Sequence, residues 1–233
     1  MNTIAQNVED VRSRMQRACA FAGRKVEDVR LIAVTKFVEQ ARIAEALETG
    51  LREVGENRAQ ELTEKLTFFE QHGCSVHFIG QLQTNKIKYV CGVADLIHSV
   101  DRPALAEQLQ RYAAKLGIVQ NILLQINVGD EAQKGGASMA EAMQLLEKVA
   151  AMPNLSVHGF MCVPPALAPE QVRPYFASMR ELLHAARKAY PSLPLAELSM
   201  GMTHDFETAI AEGATMVRVG TGIFGARNTK ASG

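Results

Sequence analysis

The feature that most constrains the fold of this chain is a regular alternation between short apolar segments and longer amphipathic ones. Eight segments have the length and the β-branched or apolar character of buried strands, and each is followed by helical spacing or a Gly-rich turn. We place the strands at 31–35, 53–55, 76–80, 96–100, 121–128, 157–161, 197–200 and 216–219. The helical stretches that follow lie at 39–49, 58–71, 85–90, 101–116, 138–151, 170–189 and 205–212, with a short closing segment at 223–225.

A strand–helix unit repeated in this way, without a break in composition, predicts an α/β fold of one domain over residues 1–233, a (β/α)₈ TIM barrel. An open doubly wound sheet has the same alternation, but no GxGxxG follows the first strand to favour a dinucleotide-binding version. Apolar residues spaced three and four apart between Ile4 and Ala18 predict an extra N-terminal helix. We expect residues 1–28, this helix and its linker, to pack on the barrel.

Composition excludes several classes of partner. The 233 residues carry 25 Lys plus Arg and 25 Asp plus Glu, so neither nucleic acid nor an anionic membrane surface is an expected partner. No apolar run reaches the length of a membrane span, and the N-terminus lacks the pattern of a signal segment, which predicts a cytoplasmic protein. The four cysteines form no CxxC pair and are predicted to be reduced thiols rather than zinc ligands.

Two cationic residues interrupt otherwise apolar strand sequence. Lys36 ends the first predicted strand, and Arg218 lies in the last one. The first and last strands are neighbours when a barrel closes, so both cations would face the same space and repel each other. A phosphorylated ligand between them, or a neutral or covalently bound lysine, removes that repulsion. The alternative is that Lys36 simply extends into water.

Gly-rich segments follow the seventh and eighth predicted strands. Ser199-Met200-Gly201-Met202 and Gly220-Thr221-Gly222 supply hydroxyls and accessible backbone amides, at the positions where barrels commonly bind phosphate. The residues by themselves leave a second interpretation open, in which both segments are only turns. A lysine that faces a phosphate site suggests a phosphorylated aldehyde held as a Schiff base.

Several motifs in this order resemble the pyridoxal phosphate homeostasis protein family, whose barrel is similar to the N-terminal domain of alanine racemase. They are Ala33-Val34-Thr35-Lys36, Gly55-Glu56-Asn57-Arg58, the run from His77 to Lys86, Ser199-Met200-Gly201-Met202, and the run from Arg218 to Gly225. The resemblance covers nearly the whole chain. It implies a barrel of the fold type III class of pyridoxal 5′-phosphate (PLP) proteins, with PLP as the cofactor.

The resemblance also implies roles for individual residues. Lys36 would form the Schiff base with PLP, as an internal aldimine, and Arg218 would face the pyridine nitrogen. Asn57 would lie beside the cofactor, and Met161 would line the surroundings of its ring. The residues implied to hold the phosphate are Ser199, Gly201, Gly220 and Thr221. Phe37 after the lysine and Thr203 in place of a commoner serine depart from the family pattern without removing a group that the cofactor needs.

These residues predict binding without robust catalytic turnover. A guanidinium opposite the ring nitrogen disfavours protonation there, which weakens the ring as an electron sink. The chain ends at Gly233, and we expect no second domain to supply the catalytic tyrosine of a racemase. We therefore predict a PLP carrier in vitamin B6 and amino-acid homeostasis, a monomer with PLP-dependent apoenzymes as possible partners. The alternatives are a slow PLP-dependent racemase with Lys36 as base, a barrel for another phosphorylated metabolite, and a scaffold.

Overall fold

The strands of this chain close into a parallel barrel. The computed structural model describes residues 2–131 and 133–226, and in that part of the chain all strand pairings are parallel. The strands are β1 (Arg30–Val34), β2 (Glu53–Glu56), β3 (Ser75–Phe78), β4 (Leu96–Val100), β5 (Gln120–Asn127), β6 (Ala137–Ser138), β7 (Leu155–Cys162), β8 (Glu197–Ser199) and β9 (Met216–Val219). The ring runs β1-β2-β3-β4-β5-β7-β8-β9, and β9 pairs with β1.

Helices connect the strands on the outside of the ring. They are α1 (Ile4–Phe21), α2 (Gln40–Glu48), α3 (Ala59–Gln71), α4 (Pro103–Leu116), α5 (Ala142–Ala150), α6 (Pro169–Ala189), α7 (Phe206–Ala211) and α8 (Thr221–Phe224), with 3₁₀ turns at Val26–Asp28 and Thr84–Tyr89. The predicted (β/α)₈ TIM barrel of one domain is confirmed. The open-sheet alternative is wrong, because the β1–β9 and β4–β5 pairings leave the ring without an edge.

Two predicted helices differ from the structure. The stretch predicted at 85–90 is the 3₁₀ turn Thr84–Tyr89, and the helix predicted from residue 138 begins only at Ala142. The second difference has a tertiary cause. Ala137 and Ser138 pair with Ile126 and Asn127 at the end of β5, and a two-residue strand is too short to show alternation in the sequence.

The hydrophobic core has two parts. The larger part lies between the sheet and the helices, where the outward faces of the strands meet the apolar stripes of the helices. The smaller part lies inside the barrel and comprises Ile32, Leu96, Leu123, Met161 and Met216. The buried interior also contains polar side chains from four strands, namely His77, His98, Ser199 and Arg218. These polar groups distinguish the interior from the usual layers of branched apolar residues.

The leading helix α1 packs on the barrel. A capping box begins it, in which Gln6 N donates to Thr3 Oγ1 (3.2 Å) and Thr3 N donates to Gln6 Oε1 (2.9 Å). Its buried face contacts α2, α7 and α8. The boundaries of a single unit at residues 1 and 233 stay a prediction. In the described part of the chain, no helix combines the length and apolar composition that crossing a bilayer requires.

Candidate functional site

The turn that carries Lys36 follows β1 and is anchored on both sides. Lys36 is partly buried. Lys65 Nζ donates to the carbonyl oxygen of Thr35 at 2.8 Å, and Phe37 N donates to Glu61 Oε2 at 2.7 Å. Phe37 has a φ of +59°, a left-handed conformation that a non-glycine residue adopts at a cost. The backbone around the lysine is therefore held in place by α3.

A buried ion-pair cluster provides that anchor. Glu56 at the end of β2 is fully buried, accepts from Lys65 Nζ at 2.8 Å, and accepts from Thr35 Oγ1 at 2.7 Å. Burial raises the pKa of Glu56 above its usual value, although the bonds from Lys65 and Thr35 oppose the shift. Sequence reasoning missed Glu56, Glu61 and Lys65 as site residues. Lys65 does stand four residues after Glu61 on α3, and that spacing is the one available signal.

Arg218 lies inside the barrel with its guanidinium at the C-terminal end. Its Nη1 donates to Ser199 Oγ at 2.6 Å, and its Nη2 donates to the carbonyl oxygen of Cys162 at 2.9 Å. Cys162 is the last residue of β7, so the guanidinium reaches the end of the barrel at which β1 delivers Lys36. Burial lowers the pKa of Arg218, but a guanidinium stays protonated. The two cations predicted to converge therefore belong to the same end of the barrel.

Ser199 and Gly201 contact Arg218 instead of forming part of the loop surface. The Ser199 side chain is fully buried and lies between Arg218 and His98, whose Nδ1 is 2.9 Å from Ser199 Oγ. The carbonyl oxygen of Gly201 accepts from Arg218 N at 3.0 Å. Gly201 has a φ of +92°, and a Cβ there would lie 2.6 Å from Ala209 Cβ, so only glycine fits. A phosphate contact from the Ser199 hydroxyl stays a prediction.

The loops after β8 and β9 bring two hydroxyls together. Thr203 Oγ1 lies 3.1 Å from Thr221 Oγ1, and Gly222 N donates to Thr203 Oγ1 at 3.2 Å. A Cβ on Gly222 would lie 3.2 Å from Thr203 Cγ2, so the glycine allows the two loops to approach closely. Gly220 precedes α8, and its carbonyl oxygen accepts from the backbone amides of Ile223 and Phe224. The sequence placed Thr203 in the segment after the seventh predicted strand and marked it as a departure from the family pattern, and the structure places it beside the predicted Thr221.

The leading helix supports these same loops. Asn7 Nδ2 donates to the carbonyl oxygen of Ile223 at 2.8 Å. Arg14 pairs with Glu207 Oε2 at 2.8 Å and donates to the carbonyl oxygen of Thr203 at 3.4 Å. One face of α1 is thereby tied to the backbone on both sides of the paired hydroxyls.

Asn57 presents a buried acceptor beside the strand ends. Its Oδ1 is buried and has no hydrogen-bond partner among residues 2–131 and 133–226. A Cβ on Gly80 would lie 2.0 Å from the carbonyl oxygen of Asn57, so the glycine lets β3 approach this residue closely. Met161, by contrast, is buried in the apolar cluster inside the barrel. An unsatisfied buried acceptor is costly and is typical of a site completed by a ligand.

A chain of hydrogen bonds continues from Ser199 through the barrel. His98 Nε2 lies 2.9 Å from His77 Nδ1, and His77 Nε2 contacts Glu53 Oε2. Burial holds the pKa of His98 well below its usual value, with His77, Arg218 and Arg30 adding to the shift. Sequence reasoning missed this series of hydrogen bonds, because the residues that form it lie on different strands. Only the closed barrel shows which positions of those strands face inward.

Comparison with known proteins gives the family. The family model described as alanine racemase, N-terminal domain, matches residues 2–228. A relative from Aquifex aeolicus, named pyridoxal phosphate homeostasis protein, is 45% identical over 95% of this chain and 97% of its own length. An Escherichia coli K12 relative of the same name is 39% identical over 98% of both chains. The chain belongs to the pyridoxal phosphate homeostasis protein family. The family predicted from the motifs is confirmed.

Solved structures of similar proteins agree with the barrel. PipY of Synechococcus elongatus PCC7942, solved with PLP bound, has a TM-score of 0.83 and is 34% identical over 96% of this chain and 100% of its own. A protein from Bifidobacterium adolescentis has a TM-score of 0.90 at 36% identity over 94% of both chains. Alanine racemase from Corynebacterium glutamicum shares only the fold, with a TM-score of 0.66, 18% identity and 62% of its chain covered.

Proposed function

We propose that this protein binds PLP at the C-terminal end of its barrel and serves the homeostasis of intracellular PLP and amino acids in the cytoplasm. The observation that carries the proposal is the arrangement at that end. Arg218 and the turn with Lys36 belong to it, and the hydroxyls of Thr203 and Thr221 lie 3.1 Å apart in the adjoining loops. The relative PipY, which has been solved with PLP bound, supports the choice of cofactor.

Lys36 is the residue that would hold the cofactor covalently. Its amine would condense with the aldehyde of PLP, forming a C=N bond and releasing one water, which gives the Schiff base. Because the backbone on either side of Lys36 is anchored, the point from which its side chain extends is fixed. The Lys65–Glu56 pair beneath the turn therefore acts on Lys36 as a positioning group.

The phosphate would lie against the loops after β8 and β9. We assign the hydroxyl contacts to Thr203 and Thr221, because the Ser199 hydroxyl is already engaged by Arg218 and His98 inside the barrel. Gly222 lets these loops approach one another, because a Cβ there would lie 3.2 Å from Thr203 Cγ2, and Gly201 and Gly220 would offer backbone amides to the phosphate. Asn57 Oδ1 fits the same proposal as a buried acceptor that a polar group of the ligand would satisfy.

Arg218 sets the character of the site. Bound PLP supplies an electron-withdrawing ring, whose strength depends on protonation of its pyridine nitrogen. A guanidinium can only donate hydrogen bonds, so Arg218 would keep that nitrogen unprotonated. This favours a carrier that holds PLP and yields it to PLP-dependent apoenzymes over an enzyme with robust turnover.

Loading and chemical trapping test the binding proposal. We expect the protein incubated with PLP to show a visible absorption band, and borohydride followed by mass mapping to place the reduced adduct on Lys36. Lys36→Ala should lose both signals. Lys115→Ala, which removes an exposed lysine on α4, should keep them. A colourless wild-type protein under excess PLP, or an adduct on another lysine, would refute the proposal.

Turnover tests the carrier part separately. We expect no racemisation above background when the loaded protein is assayed with a panel of L- and D-amino acids. Activity that disappears in Lys36→Ala would show instead that the protein is an enzyme with Lys36 as its base.

A further inference from the structure

Five side chains form a continuous hydrogen-bonded path across the inside of the barrel. In order they are Arg218, Ser199, His98, His77 and Glu53, contributed by β9, β8, β4, β3 and β2. The path begins at the guanidinium that the proposed function places against the ring nitrogen of PLP, and the inference below rests on that placement. It ends at a carboxylate on the first residue of β2, at the opposite end of the barrel.

The donors and acceptors along this path fit together in one direction. Arg218 Nη1 donates to Ser199 Oγ, and the Glu53 carboxylate accepts from His77 Nε2. With a neutral His77, Nδ1 of that ring is an acceptor, so His98 Nε2 must carry the hydrogen between the two rings. His98 Nδ1 is then the acceptor of the Ser199 hydroxyl. Every bond has one hydrogen, and all of the donors point from Arg218 towards Glu53.

One additional proton reverses the two central hydrogen bonds of the path. If His77 is protonated on both nitrogens, its Nδ1 donates to His98 Nε2. A neutral His98 must then carry its hydrogen on Nδ1 and donate to Ser199 Oγ. The Ser199 hydroxyl hydrogen has to turn away from His98, while its oxygen still accepts from Arg218. The two arrangements differ in the tautomer of His98, which stays neutral in both, while the added charge lies on His77.

The outer end of the path is accessible to solvent. A polar opening of about 170 Å³ lies there, lined by Arg30, Ser75, His77, Asp95, Leu96, Asn121, His158 and Glu197. The side chain of Glu53 is 26% exposed, whereas His98 is fully buried. The charged and titratable groups that face the two rings are Glu53, Arg30, Asp95, His158, Glu197 and Arg218. A proton from solvent can therefore reach His77 without passing the proposed cofactor site.

We propose that Glu53, His77 and His98 are positioning residues for Arg218, and that protonation at the N-terminal opening reaches Arg218 as a change in the tautomer of His98. The cost of placing polar groups inside the barrel supports this role. A buried polar network is favourable only when each member is satisfied, and the neutral arrangement satisfies every member of the path. In the proposed function, this hydrogen-bonded path links the state of the cofactor site to the pH at the N-terminal end of the barrel.

The histidine tautomers can be measured without cofactor. PipY has been solved both with and without PLP, so we expect the cofactor-free protein to be suitable. In ¹⁵N spectra of histidine-labelled protein, we expect His98 to carry its hydrogen on Nε2 at neutral pH and to move it to Nδ1 on acidification. A hydrogen on Nδ1 at neutral pH, or a His98 tautomer that stays the same on acidification while the protein remains folded, would refute the inference.

The visible spectrum of the PLP-loaded protein tests the link to Arg218. Glu53→Gln keeps an acceptor for His77 but removes the charge that stabilises its protonated form. We expect the pH-dependent change in the spectrum and the His98 tautomer change to move together to lower pH. His158→Gln, which alters a histidine of the same opening outside the path, should leave both midpoints unchanged. A spectrum whose pH dependence is the same in Glu53→Gln as in wild type would refute the link.

A second variant tests whether the effect of Glu53→Gln is transmitted through the path. His98→Phe interrupts the path while filling the same space, and we expect it to abolish the acid-side spectral change and to weaken PLP binding by about tenfold. Retention of the wild-type spectral change in folded His98→Phe would also refute the link. Failure of wild type to bind PLP would instead refute the proposed function, while the ¹⁵N measurement would still decide whether the path switches.

Discussion

Lys36 is positioned by side chains that lie outside the motif that predicted it. The carbonyl oxygen before it and the amide after it are bound by Lys65 and Glu61, and Lys65 is itself paired with the fully buried Glu56. At the scale of single residues, the site therefore depends on the buried charge of Glu56 and on its cation Lys65, 2.8 Å away. Removing one partner of such a pair leaves an uncompensated charge in the interior.

We expect Lys65→Met to destabilise the protein by about 3–5 kcal/mol, because the Glu56 carboxylate would lose its cation in a buried position. Urea unfolding at neutral pH measures the change. Lys115→Met is the matched control, since that lysine is exposed on α4, and it should change the free energy of unfolding by less than about 0.5 kcal/mol. Equal effects in the two variants would show that the buried ion pair contributes nothing to stability.

Because His98 is buried, we expect the stability of the protein to depend on pH. Burial first, and then the nearby His77, Arg218 and Arg30, hold its folded pKa well below 6.5. As the pH falls below about 6.5, the unfolded chain binds a proton at this residue that the folded chain does not bind, so the folded state loses stability. Wild type should lose about 1.4 kcal/mol per pH unit relative to His98→Gln in that range. Urea unfolding of both proteins between pH 7.5 and 5.5 checks this, and parallel curves would contradict it.

The element that most affects the proposed phosphate loops is the leading helix. The α1 side chains Asn7 and Arg14 bind the backbone of Ile223 and Thr203, on either side of the paired threonine hydroxyls. Arg14 also lies over the ring of Phe206, the first residue of α7, at 4.5 Å from its centroid. At the scale of elements, α1 acts as a support for the loops after β8 and β9.

We therefore expect Arg14→Met to weaken PLP binding by about three- to tenfold, since it removes a partly buried ion pair and a contact to the loop backbone. Titration of the visible band measures the affinity. Arg17→Met, on the exposed face of the same helix, should bind PLP as wild type does. If both variants bind equally well, α1 supports the fold without affecting the site.

A second feature at the scale of elements is the close approach of β3 to Asn57. A Cβ on Gly80 would overlap the carbonyl oxygen of Asn57, whereas a Cβ on Gly73 would meet nothing within 4 Å. We expect Gly80→Ala to lower stability by about 3 kcal/mol or more, since backbone must shift. Gly73→Ala should cost about 1–2 kcal/mol, the strain of its positive φ alone. Thermal and urea unfolding of the two variants compare these costs.

For the whole molecule, the eight strands of the closed ring leave no open edge in the described part of the chain, and outside the ring the strand β6 is only two residues long. The β9–β1 and β4–β5 pairings close the ring, so each of its strands has a neighbour on both sides. Pairing between exposed strand edges is a common route to association. We expect a monomer of about 25 kDa, the mass of the chain, in light scattering after size exclusion at several protein concentrations. A concentration-independent mass of twice that value would contradict the prediction.

Much of the fold could be predicted because it depends on local pattern. The strands ending at Val34, Val100 and Val219 were placed within one residue of their observed ends, since short apolar runs between turn residues specify them. The pairing of Ala137 with Ile126 could not be predicted, because two residues carry no periodicity and their strand exists only through contact with β5. For the same reason the start of α5 was misplaced.

The sequence by itself determined the alternation of strands and helices, the family and the residues that mark the proposed PLP site, because strand periodicity and the motifs around Lys36 and Arg218 are local properties of the chain. Only the tertiary structure decided what each of those residues contacts. Closure of the ring turns Ser199 towards Arg218 and His98, brings Thr203 beside Thr221, and aligns Glu53 with His77 across neighbouring strands. These contacts join residues far apart in the chain, and hydrogen bonds between distant residues depend on strand register and burial, which no local pattern encodes.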